Sequence, residues 1–69
     1  MNNRVKVKRA QLNLTQAELA EKVLVSRQTI NAIEAGRFIP TTRLSLKLAV
    51  ILKTPVEELF TLERSDWAS

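Results

Sequence analysis

Residues 16–34, QAELAEKVLVSRQTINAIE, decide how this chain folds. Thr15 stands three residues before Glu18, the capping-box spacing that opens a helix. Leu19, Ala20 and Val23 then form an apolar stripe, and the spacing predicts a helix over 16–23. Leu24-Val25 is a tight connection. Ser26 is a good N-cap for the next helix, running to about Ala35 with Ile30 and Ile33 facing inward. Gly36 follows where a left-handed C-cap is expected. Two short helices joined by a tight turn, the second ending in glycine, make a helix-turn-helix candidate. Ala20 is small where the two helices must approach, Val25 is the apolar residue tucked beneath the turn, and Ile30 locks the second helix on the first. Arg27, Gln28, Thr29, Asn31 and Arg37 remain as a polar outer face.

Outward from this core the punctuation is sparse, with one glycine and two prolines. Residues 3–12 read as a first helix capped by Asn2 or Asn3, with Val5, Arg9 and Leu12 on one face. Asn13-Leu14 breaks it. Arg37–Thr41 is a loop, since Pro40 bars helix. Thr42 is a cap for a fourth helix over 43–53, rich in Leu44, Leu46, Leu48, Ile51 and Leu52. Pro55 opens a short fifth helix over 55–60 as a first-turn proline, with Val56, Leu59 and Phe60 apolar. Five short helices leave little room for a sheet, so the expected class is all-α, a five-helix domain over 1–60. Residues 61–69 show no period and read as a C-terminal tail offered as a dimer contact.

The chain has 69 residues and neither cysteine nor histidine. Disulfides, thiol catalysis and the usual zinc ligands are thereby excluded, and no metal or cofactor is expected. A domain of this size buries only about 60% of its unfolded surface, so dimerisation or good helix contact must supply stability. Residues 1–53 carry a net charge of +7 and residues 54–69 a net of −3. A basic body with an acidic tail suits a polyanion met by one face, and equally suits plain solubility. No apolar run approaches the roughly 20 residues that span a bilayer, and no secretory signal opens the chain, so no membrane partner and a cytoplasmic location are expected.

The run Gln16-x-x-Leu19-Ala20, then Val25-Ser26-Arg27-Gln28-Thr29-Ile30-Asn31-x-Ile33-Glu34-x-Gly36, resembles the Xre family, the helix-turn-helix class of phage repressors and Cro proteins. The resemblance covers Arg4 to about Phe60. It implies that double-stranded DNA is the partner. It implies further that Arg27 and Gln28 read base edges in the major groove, with Asn31 and Ala32 reaching bases one turn on. By the same resemblance Gln16 holds phosphate, Thr29 supports a phosphate or a thymine methyl, Arg37 and Arg43 bind backbone, and Arg9 pairs with Glu34 to join the first helix to the end of the third. Lys8, outside the family pattern, is read as a phosphate contact whose stem lies along the core while its ammonium reaches out. Several such phosphate contacts make affinity fall steeply with salt. For Gln16 the plain alternative is helix capping; for Arg27 and Gln28 it is a solvated helix face, and for Lys6, Lys8, Asn31, Arg37 and Arg43 a solvated surface. Two positions depart from the family pattern. Leu24 stands where glycine is usual in the turn, and Lys8 stands where an apolar residue is common.

Leu46 and Val50 fall on a face of the fourth helix apart from its core face, and Phe60, Leu62 and Trp67 add apolar area near the C-terminus. These five residues read as a homodimer interface or as further core burial and a loose tail. A two-fold dimer places two recognition helices one DNA turn apart. The leading expectation is therefore a transcriptional regulator, a repressor on a pseudo-palindromic operator. An antitoxin-like interaction module, with the acidic tail and Trp67 as its contact, is the alternative. An enzyme is not expected. Glu57 and Glu58 are adjacent and diverge on a helix, and no phosphate-cradling glycine loop exists.

Overall fold

Three hydroxyl side chains set where the central helices begin. Thr15, Ser26 and Thr41 each hold an extended backbone, and their hydroxyls accept a hydrogen bond from the backbone N–H three residues on. A computed structural model describes residues 1–68. After the short strand β1 (Asn2–Asn3) come α1 (Val5–Gln11), α2 (Gln16–Val23), α3 (Arg27–Glu34), α4 (Thr42–Ile51) and α5 (Val56–Leu59). The strand β2 (Phe60–Thr61) and a one-turn 3-10 helix, Arg64–Trp67, follow. The architecture is all-helical apart from β1 and β2, which pair antiparallel with Asn2 opposite Thr61 and Asn3 opposite Phe60.

The expected all-α class holds, and the little room left for a sheet is taken by this one two-residue pairing. It also shortens the first helix. Asn3 is held in β1, so α1 begins at Val5, and Asn3 Oδ1 accepts from the Val5 N–H at 3.2 Å. The fourth helix is capped by Thr41 rather than Thr42 and stops at Ile51 rather than residue 53. Pro55 precedes α5 in extended geometry instead of sitting within it.

α1, α2, α3 and α4 all close in one way. A residue with positive φ follows each of them: Asn13 (57°), Leu24 (62°), Gly36 (77°) and Lys53 (53°). The next N–H then reaches back five residues: Leu14 to Arg9, Val25 to Ala20, Arg37 to Ala32 and Thr54 to Ala49, at 2.9–3.1 Å. This is the Schellman closure, which satisfies the last helical carbonyls and turns the chain back across the helix end. Only one of the four uses glycine, the residue that bears positive φ without a Cβ clash.

The turned-back chain feeds one core. Val5, Leu19, Ala20, Val23, Ile30, Ile33, Leu44, Leu48, Leu52 and Leu59 are buried, with Leu14, Val25, Ala49, Ile51 and Phe60 packed against them. Thr54 is buried too, its hydroxyl donating to the Leu52 carbonyl at 3.0 Å. Truncating a fully buried leucine such as Leu48 to alanine costs roughly 2–5 kcal/mol in cores of this kind. The chain ends are tied by more than β1 and β2. The Arg4 N–H donates to the Leu59 carbonyl at 2.9 Å, and the Met1 ammonium pairs with Glu63 at 2.9 Å and Asp66 at 3.2 Å. Among the described residues no helix is long and apolar enough to cross a membrane.

Candidate nucleic-acid interface

α2 and α3 are joined by the left-handed turn at Leu24, and the Ser26 cap fixes the first residues of α3. Ile30 and Ile33 hold the inner side of α3 in the core, which turns Arg27, Gln28 and Asn31 to solvent. These three line a hollow of about 290 Å³ on the outer face of α3. Arg27 also borders a second, broader hollow of about 620 Å³, where Arg9, Asn13, Thr15 and Gln16 meet at the start of α2. A third hollow of about 180 Å³ joins Lys6 and Gln16 to Asn31 and Glu34. The start of α2, the outer face of α3 and Lys6 of α1 thus adjoin through shared lining residues, with Leu14 and Ala17 the apolar members of the broader hollow.

Beneath it lies an ion pair with an added member. Arg9 Nε donates to Glu34 Oε2 at 2.7 Å, and Nη2 donates to Oε1 at 3.2 Å, a two-pronged contact. The side chains are 15% and 5% exposed. Arg9 Nη1 also donates to the Leu14 carbonyl at 2.8 Å, tying the pair to the α1–α2 turn. Gln16 Nε2 donates to Glu34 Oε1 at 3.0 Å. The Gln16 side chain is therefore built into this network, which reading the sequence missed. Glutamine three residues before the Leu19-Ala20 stripe carries no spacing that points at Glu34.

The remaining residues assigned from sequence are spread around this surface. Thr29 is half-buried and its hydroxyl lies 2.9 Å from that of Ser26, so it is engaged within the helix start. Ala32 is half-buried, with its carbonyl closing the α3 end. Arg37 Nη2 donates to Asn31 Oδ1 at 3.1 Å. Lys8 is half-buried on α1 and Arg43 is exposed in the first turn of α4, and neither borders the three hollows. Asn3 was read only as a cap, yet its Nδ2 donates to the Ile33 carbonyl at 2.8 Å and anchors the last turn of α3.

The apolar residues assigned to a dimer contact fall in two places. Leu46 and Phe60 share a groove of about 300 Å³ with Ile39, Pro40, Val56 and Met1. Val50 is exposed one turn along α4, and Leu62 and Trp67 are exposed in the tail. Ile39, 63% exposed, and Phe38 extend the apolar area. They were legible as apolar residues in a loop that needs none for its own core, between Gly36 and Pro40.

Comparison with known proteins agrees with this geometry. A helix-turn-helix family model matches residues 5–59. An uncharacterized HTH-type transcriptional regulator of Methanocaldococcus jannaschii is 46% identical over 63 residues, covering 91% of this chain and 96% of that protein. The uncharacterized HTH-type transcriptional regulator YgzD of Bacillus subtilis is 39% identical over 66 residues, covering 96% of this chain and all of its own length. One from Archaeoglobus fulgidus is 36% identical over 66 residues, 96% of this chain and 93% of its own. With its capped α2, its left-handed turn and its polar α3 face, the chain belongs to the Xre-like helix-turn-helix family of small transcriptional regulators.

Proposed function

We propose that this protein binds double-stranded DNA by placing α3 in the major groove and represses transcription as a homodimer on a pseudo-palindromic operator. The observation that carries this reading is the outer face of α3. Arg27 and Gln28 stand exposed in its first turn around a hollow with no apolar side chain in its lining. Arg pairs with guanine O6 and N7, and Gln with adenine N6 and N7. Gln16, Thr29, Lys8 and Arg43 hold the flanking backbone, and Arg9 with Glu34 sets the tilt of α3 without touching base edges. The family relatives are regulators, a non-enzyme kind. One domain reads one half-site, and the apolar groove at Leu46 and Phe60 with exposed Val50, Leu62 and Trp67 supports a two-fold partner. A bound dimer excludes other proteins from the same groove, which is how such a domain represses, and a cytoplasmic location follows from that role.

In vitro selection from a random duplex pool tests the reading. Wild type enriches a two-fold symmetric motif. Arg27→Ala and Gln28→Ala each relax it at separate positions, at roughly 1–3 kcal/mol of discrimination per lost bidentate contact. Retention of the same motif by both variants would refute the base-reading assignment.

A further inference from the structure

The four matching helix closures differ at one point. After the left-handed residue, the chain places Leu14, Val25 and Thr54 against or within the core. An apolar clip in that position commonly accompanies the Schellman closure. At the end of α3 the same position holds Arg37, which is exposed. The Gly36 closure brings Arg37 back over the last turns of α3, where its guanidinium meets Asn31 Oδ1 at 3.1 Å. The clip is thus polar, and it lies on the surface that also carries Arg27 and Gln28.

This contact fixes the polarity of Asn31. A guanidinium has donors only, so the atom facing it is the amide oxygen. The amide nitrogen, with two N–H groups, is then the part of Asn31 offered to a ligand. Asparagine ordinarily reads adenine by accepting from N6 while donating to N7. Here the Arg37 guanidinium stands against the oxygen that the adenine N6 amino group requires, and it sets positive charge beside a second donor. Guanine presents O6 and N7, both acceptors, and matches a donor-only edge.

We propose that Arg37 and Asn31 act as one reading unit that selects guanine over adenine at a single position of each half-site. Asn31 touches the base, and Arg37 is a positioning residue that sets which end of the amide is presented. The inference rests on the DNA-binding reading above.

The experiment is selection with wild type, Asn31→Ala, Arg37→Met and Arg37→Lys, with circular dichroism melts to confirm that each variant is folded. The Asn31-dependent position is the one that loses its preference in Asn31→Ala. Wild type is expected to select guanine there by about tenfold over adenine, the scale of one good side-chain–base pair. Arg37→Met, which frees the amide oxygen, shifts that position toward adenine, and Arg37→Lys, which keeps a charged donor, retains guanine. Adenine in the wild-type motif at that position overturns the inference, and needs no folded Arg37 variant to be seen. Uniform weakening by Arg37→Met with unchanged base preference also overturns it, since that is the mark of a phosphate contact. If wild type enriches no motif, the DNA-binding reading itself fails. An enriched motif that responds to Arg27 but not to Arg37 refutes this inference alone.

Discussion

A leucine side chain 81% exposed on a backbone at φ 62° gains little from burial while it bears the clash of its Cβ with the carbonyl. The clash costs on the order of 1–2 kcal/mol, and glycine gives back roughly 0.5–1 kcal/mol of it through chain entropy. Leu24→Gly is therefore expected to stabilise the domain by about 0.5–1 kcal/mol, read as a raised urea midpoint at unchanged slope. A lowered midpoint would mean that the Leu24 side chain makes a contribution the backbone argument omits. Glu34 lies at the opposite extreme. It is nearly buried and accepts from Arg9 and Gln16 together. Glu34→Ala strands the Arg9 guanidinium in a site that is mostly covered, and the expected loss is roughly 2–4 kcal/mol by urea denaturation. Replacing Arg9 and Glu34 together by apolar residues of similar size should cost less than Glu34→Ala alone. If the double replacement cost more, the pair would be a net contributor rather than a mutual neutralisation.

At the scale of elements, the start of α2 carries a pH dependence. Glu18 Oε1 accepts from the Thr15 N–H at 2.8 Å, and the Thr15 hydroxyl accepts from the Glu18 N–H at 3.0 Å. The bond from the Thr15 backbone, joined by the Thr15 side-chain contact, holds the Glu18 carboxyl below its ordinary value. A depressed folded pKa gives stability that is present above the unfolded value, near 4.5, and lost as pH falls through the folded one. The stability gap between wild type and Glu18→Gln should therefore be widest near neutrality and shrink as pH drops below about 4.5. A gap that stayed constant on acidification would show that the Glu18 charge is not what matters there. The same scale shows why some of the fold was legible and some was not. Caps are local, so Thr15, Ser26 and the helix spans they open could be read from spacing. Thr41 and Thr42 are adjacent hydroxyls with equal propensity, and which of them caps α4 depends on where Leu44 and Leu48 must point. β1 and β2 could not be read at all, because two-residue strands have no period and their partners lie at opposite ends of the chain. The polar face of α3 was legible as the remainder once Ile30 and Ile33 were assigned inward. The contacts made by Gln16, Asn3 and Arg37 were not, since each depends on where a remote element comes to rest.

Over the whole molecule, the polar outer face of α3 is one surface and the apolar groove of α4 and β2 offers a second. Leu46→Glu sets a charge beside Phe60 and Ile39, and on the proposed homodimer reading it is expected to convert dimer to monomer by analytical ultracentrifugation while leaving the helical signal intact. An unchanged sedimentation coefficient would remove this groove from the interface. The pairing of β1 with β2 has a kinetic side as well. The closures at the helix ends are short in sequence and the Arg9–Glu34 pair spans 25 residues, whereas this one joins the two ends and must form against the entropy of nearly the full chain. It is therefore expected to open before the core does. By native-state hydrogen exchange the Arg4 amide, bonded to Leu59, should exchange at a lower opening free energy than the amides of Ile33 or Leu48. Equal protection would mean that the ends open only with global unfolding. Since Asn3 in β1 also donates to the Ile33 carbonyl, such fraying is expected to remove one of the ties on the carboxyl end of α3. The zipped chain ends are thus expected to act as a tensioner on the last turn of α3, sharing that load with the Arg9–Glu34 pair.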